Sequence, residues 1–192
     1  MRYAKTLALA LILAALPAVA QDAKKPPDPL KVKVGDVAPD FTLLAFDGQK
    51  VTPVSLHDYK GKKNVAFAFY VFAFTGGITK EMKAFQANLA RLEGADTQVL
   101  GVSLDSPFAN HAFAQQNGVT FPLLGDMDLK AIKAYGLDKE IKIGGVPVVT
   151  ARRATYLIDK DGKVIEEQVD SDAVDPTKIV DACEFHAKKP AS

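Results

Sequence analysis

The sequence predicts an α/β fold: a central mixed β-sheet flanked by helices, with an N-terminal β-hairpin. Three observations lead there. Strand-like and helix-like segments alternate from Val34 to Phe185, the pattern that layers helices over a sheet. Val65 to Val71 is apolar at every position, as a strand covered on both faces requires. Two late runs, Thr155–Ile158 and Val164–Val169, bracket the turn Asp159-Lys160-Asp161-Gly162 and add antiparallel strands.

In chain order, Phe41–Ala45 and Gln49–Val54 flank Phe46-Asp47-Gly48, whose Asp-Gly pair is a hairpin signal. Val65–Val71 is the central strand. Thr79–Leu92 reads as a helix, because Phe85, Leu89 and Leu92 fall at i, i+4 and i+7 with Met82 one turn earlier. Gly94 is its expected C-cap. Gln98–Leu104 is the next strand. Asp105-Ser106-Pro107 opens a helix, Phe108–Gln116, with Pro107 in the first turn and closure near Gly118. Asp128–Tyr135 is a short helix ending at Gly136, and Gly144-Gly145-Val146-Pro147 reads as an ordinary loop. Pro176–Phe185 is a C-terminal helix, N-capped by Asp175.

Residues 1–20 have the form of a secretory signal. Arg2 and Lys5 make a positive start, Leu7–Leu16 an apolar stretch, and Ala18-Val19-Ala20 a cleavage box. The apolar stretch is too short to persist as a membrane span. An exported protein beginning at Gln21 is expected, periplasmic or extracellular, with no membrane association after cleavage. Residues 21–33 are rich in Pro and Lys and read as a linker. The folded domain is expected over 34–187, with 188–192 a tail.

Removing 20 of 192 residues leaves 172, the size of one ordinary domain. Losing Arg2 and Lys5 from 24 basic residues leaves 22 against 23 acidic. A near-neutral chain gives no reason to expect nucleic acid or an anionic membrane as partner. His57, His111 and His186 show no metal-ligand spacing, and the single Cys183 cannot build a zinc site; no metal and no cofactor are expected. One Cys also excludes an intramolecular disulfide.

The segment Val71-Phe72-Ala73-Phe74-Thr75-Gly76-Gly77-Ile78-Thr79-Lys80-Glu81 resembles the active-site segment of the peroxiredoxins (AhpC/TSA, redoxin), whose motif is Pro-x-x-x-Thr-x-x-Cys, often extended as Thr-Pro-Gly-Cys-Thr-x-Glu. Thr75, Gly77, Thr79 and Glu81 match. Val71 stands at the proline position, and Ile78 at that of the peroxidatic cysteine. The resemblance spans nearly the whole domain. Val34-Gly35-Asp36-Val37-Ala38-Pro39-Asp40-Phe41, Gly101-Val102-Ser103-Leu104-Asp105, Phe121-Pro122-Leu123-Leu124-Gly125-Asp126 and Arg153-Ala154-Thr155-Tyr156-Leu157-Ile158-Asp159 are similar to the family's other landmarks. It implies a thioredoxin-like fold and kinship with thiol-dependent antioxidant oxidoreductases.

The resemblance also implies roles. The family's thiolate sits in the first turn of a helix, where free N–H groups and the helix dipole lower its pKa. Arg153 matches the Arg that stabilises it, Thr75 the hydroxyl beside it, and Glu81 the carboxylate that orients the Arg. Ile78 has no thiol, and Lys83 stands where one subfamily keeps a resolving cysteine. Val71 and Gly76 also depart from the common pattern, which favours drift over replacement of a single residue.

Three functions follow. The first is an exported peroxiredoxin-like protein without peroxidase activity, whose Thr75, Gly77, Ile78 and Arg153 retain a site for a small anion or peroxide-like ligand, and which pairs as a homodimer or with active relatives. The second is a working thiol oxidoreductase using Cys183, alone or between chains, which requires Cys183 close to Arg153 in the fold or across a dimer from it. The third is a structural protein in which Arg153 merely pairs with Glu81, Thr75 starts a helix, Gly76-Gly77 frees a turn, and Phe67, Phe69, Phe72 and Phe74 form core and pocket wall.

Overall fold

The computed structural model describes residues 29–188. The secretory segment and most of the Pro/Lys-rich stretch lie outside the described residues. The elements are β1 (Thr42–Phe46), β2 (Val51–Ser55), β3 (Asn64–Phe69), α1 (Gly76–Ala87), α2 (Leu89–Gly94), β4 (Thr97–Ser103), α3 (Pro107–Asn117) and β5 (Leu123–Gly125). They continue with α4 (Lys130–Ala134), β6 (Asp138–Ile143), β7 (Val146–Ala151), β8 (Ala154–Ile158), β9 (Val164–Val169) and α5 (Thr177–Ala187).

Seven strands form one mixed sheet in the order β2-β1-β5-β4-β3-β8-β9. β3 runs parallel to β4 and β4 to β5, while the other pairs are antiparallel. The fold is thioredoxin-like.

β3 shows why its sequence is apolar throughout. Side chains alternate across a strand. Val65, Phe67 and Phe69 enter one core layer with Tyr135 and Tyr156. Ala66, Ala68 and Tyr70 enter the other, with Ile78, Met82 and Phe85 of α1, Phe113 of α3 and Cys183 of α5. All six residues of β3 are buried.

The hairpin β1–β2, the helix start at Ser106 and the late hairpin β8–β9 stand where the sequence places them. The Ser106 hydroxyl accepts a hydrogen bond from Ala109 N, Pro107 occupies the first turn, and Gly118 closes α3 at φ 66°. The N-cap of α5 is Pro176 rather than the expected Asp175, which lies one residue earlier and accepts from both the amide and the hydroxyl of Thr177, the first helical residue.

Three further expectations need correction. The helix expected over Thr79–Leu92 begins at Gly76 and breaks at Asn88, whose φ and ψ are −102° and 5°. Its side-chain amide donates to Ala84 O (2.9 Å), a local bond that competes with helical continuation. At the end of α2 the cap is Ala95, and Asp96 rather than Gly94 takes the left-handed conformation, at φ 53°. The stretch around Gly144-Gly145 is the turn of a separate two-stranded sheet, β6–β7, both glycines having positive φ.

Candidate functional site

α1 starts beside the C-terminal end of β3. The connecting loop is tied down at Ala73, whose N–H donates to Asp105 Oδ2 (2.8 Å), a carboxylate that also accepts from the Ser103 hydroxyl (2.9 Å). Below it, the buried Tyr70 hydroxyl donates to Asn110 Oδ1 (2.6 Å), and Asn110 Nδ2 donates to Leu124 O (3.1 Å). This network fixes where α1 begins. The sequence motifs contain several of its members, Ala73, Ser103, Asp105 and Leu124, but do not show that they meet, because the segments are far apart in the chain and Asn110 joins them only in the fold.

Thr75 is the N-cap of α1 by backbone geometry. Its hydroxyl points backward, donating to Phe72 O (2.8 Å), and does not cap the helix. Phe74 enters this turn at φ 65° and is 54% exposed, resting edge-on against Phe113. It is not core, and it lines neither of the two cavities described below. Phe67 and Phe69 are core.

Ile78 lies in the first turn of α1 with none of its surface exposed, inside the second core layer. Arg153 reaches the same turn from the bend between β7 and β8. A Cβ placed on Gly77 would stand 2.7 Å from Arg153 Nη2, so only glycine admits the guanidinium there. Arg153 Nε lies 2.8 Å from Oε2 of Glu81, which is fully buried one turn further along α1. The Nε–H direction misses hydrogen-bond geometry, leaving Nε and both Glu81 oxygens without a hydrogen-bond partner among the described residues. Burial therefore outweighs the attraction of Arg153, and the Glu81 carboxyl is pushed up to about 8.

The structure thus brings Thr75, Gly77, Ile78, Glu81 and Arg153 together around one helix terminus, and leaves Cys183 elsewhere. Cys183 is fully buried in α5 with Thr97 as its polar neighbour, and burial pushes its thiol up to about 11. Thr97 pairs with Asn64 at one end of β3. Ala154, next to Arg153, pairs with Phe69 at the other. At about 3.3 Å per residue those ends are roughly 16 Å apart. A high-pKa, enclosed thiol is a poor nucleophile.

Two cavities lie away from this cluster. One of about 230 Å³ is lined by Leu56, Tyr59, Val65 and Ile158 among others, and one of about 370 Å³ by Phe46, His111 and Phe121 among others. Neither is lined by Thr75, Gly77, Ile78 or Arg153. His57 Nδ1 lies 2.8 Å from Asp40 Oδ2. Among the described residues no three His, Cys, Asp or Glu side chains gather as a metal site, and no helix is long and apolar enough to cross a membrane.

Residues 34–167 match the AhpC/TSA family. The chain belongs to that family. Among its AhpC/TSA relatives, peroxiredoxin Bcp of Escherichia coli is 34% identical over 133 residues, covering 69% of this chain and 83% of Bcp. Alkyl hydroperoxide reductase E of Mycobacterium bovis is 36% identical over 133 residues, covering 68% and 81%. Among solved structures, peroxidoxin BcpB of Mycobacterium tuberculosis superposes with a TM-score of 0.71 at 26% identity, covering 80% of this chain and 97% of that one. The AhpC/TSA assignment therefore rests on sequence and fold alike.

Proposed function

We propose that this is an exported AhpC/TSA protein without thiol peroxidase activity, in which Ile78 occupies the peroxidatic cysteine position. One observation carries the reading. The side chain in the first turn of α1, beside Arg153, is a buried isoleucine, and the only cysteine is enclosed at the far end of the sheet. Peroxide reduction by this family's chemistry needs a thiolate to attack the O–O bond. Isoleucine cannot ionise, and Cys183 has neither access nor a lowered pKa.

The Arg153–Glu81 pair supports a structural role more than a ligand-binding one. The guanidinium is seated on Gly77 and against Glu81, and the two cavities described open elsewhere. A small anion at Thr75 and Arg153 would have to displace that arrangement. The remaining function is then non-catalytic, as a scaffold or interaction module.

The test is hydrogen peroxide consumption with dithiothreitol, run beside an Ile78→Cys variant. The native protein is expected to be inactive, and activity in it would overturn the proposal. The variant measures whether the site survives: turnover in it would show that Arg153 and the start of α1 still activate a thiol there despite the burial of residue 78, and inactivity would show that the site has closed as well as lost its thiol. Export is tested separately, by the mass of the protein recovered outside the cytoplasm, with cleavage after Ala20 as the expected result.

A further inference from the structure

We propose that β6 is a self-pairing edge, through which two copies of this chain join their β6–β7 hairpins into one four-stranded antiparallel sheet. The proposal is independent of whether the protein reduces peroxides.

The β6–β7 hairpin stands apart from the seven-stranded sheet and contains only its own two strands. It is fastened at its base, where Arg152 N donates to Leu137 O (2.6 Å) and the Thr150 hydroxyl to Val71 O (2.6 Å). Among the described residues, no backbone bond from another element reaches the outer side of β6. An isolated two-stranded ribbon is marginal in water, and an open strand edge is a template for pairing. On the other edge, β7 carries Pro147, which has no N–H and blunts pairing there. That leaves β6 as the receptive edge.

The occupant is argued from charge. Within β6, Glu140 and Lys142 share one face and Ile141 and Ile143 the other. Glu140 and Lys142 are exposed and have no ion-pair partner among the described residues. Consider two copies of β6 paired antiparallel about a two-fold axis perpendicular to the sheet. Each such register is centred on one residue. Centring on Ile141 sets Ile141 against Ile141, and sets Glu140 of each copy opposite Lys142 of the other, giving two complementary pairs. Centring on Lys139, Glu140 or Lys142 sets like charges directly opposite, which is destabilising. Centring on Asp138 also sets like charges opposite, and centring on Ile143 sets Lys142 and Ile141 against the turn glycines Gly144 and Gly145 with no complementary charge pair, so the Ile141-centred register with a second copy of the strand is the favoured one.

The same register extends an apolar face. Ile141 and Ile143 lie beside their β7 partners Val148 and Val146, with Ile143 51% and Val146 61% exposed. Pairing continues this row into the partner copy. The interface is one short strand, well below the size of a permanent dimer interface, so association is weak and concentration-dependent.

The test is sedimentation velocity on the purified protein from about 1 μM to about 1 mM. The native protein is expected to shift from monomer to dimer across that range. E140K and K142E, each placing like charges opposite twice, are expected to raise the dissociation constant at least about tenfold. The double swap E140K/K142E restores complementarity and is expected to dimerise as the native chain does. Mixing the two single variants is expected to give a heterodimer, since each supplies what the other lacks. A native protein monomeric throughout would overturn the proposal, as would single variants that dimerise like the native chain.

Discussion

The Arg153 guanidinium rests on Gly77, close enough that a Cβ on residue 77 would stand 2.7 Å from Nη2. Gly76, one residue earlier, has nothing within 4 Å of the same construction. Neither glycine has positive φ. Gly76→Ala is therefore expected to be neutral or stabilising by up to about 1 kcal/mol, through helix propensity. Gly77→Ala is expected to be the less favourable of the two by up to about 1 kcal/mol, because the guanidinium end of Arg153 must shift to make room. Thermal denaturation separates the two, at about 2–4 °C per kcal/mol for a chain of this size.

Stability should depend on pH through Glu81. Burial raises its folded-state pKa from 4.5 to about 8, so the folded state holds a proton that the unfolded chain releases at lower pH. Stability from this group is full below about 4.5 and falls as pH rises toward about 8. Urea unfolding at pH 5 and pH 8 is expected to show the native protein losing stability over that interval. Glu81→Gln, which cannot ionise, should lose correspondingly less, and an unchanged slope in the variant would refute the assignment.

Cys183 should be nearly inert while the protein is folded. A thiol pushed from 9.0 to about 11 by burial has about a hundredfold less thiolate at neutral pH, before access is considered. Alkylation in buffer is expected to be at least about 100-fold slower than in denaturant.

Asn110 should be a costly residue to lose. It accepts from the Tyr70 hydroxyl and donates to Leu124 O. Asn110→Ala strands these buried groups and is expected to cost about 2–4 kcal/mol. Chemical denaturation measures this directly, and a loss under about 1 kcal/mol would mean that the site relaxes or takes in water.

The two hairpins show how much of the fold was legible. Asp47-Gly48 sits between apolar runs, so its turn announces itself, and β1–β2 follows from local chemistry. In β6 three of six positions carry Lys or Glu and the apolar ones are partly or largely exposed, so alternation is diluted and Gly144-Gly145 reads as a loop. The break at Asn88 was equally hidden, because Phe85 and Leu92 keep helical spacing across it while a side-chain bond to Ala84 redirects the backbone.

By itself the sequence determined the α/β class, the doubly buried strand β3 and the two hairpins β1–β2 and β8–β9. These depend on periodicity, caps and turns, which act over a few residues. The tertiary structure alone decided that Arg153 seats on Gly77 against a buried Glu81, that Ile78 is sealed in the core, and that Cys183 lies at the far end of β3. Each is a meeting of segments distant in the chain. Their positions are set by how sheet and helices pack, and no local pattern encodes that.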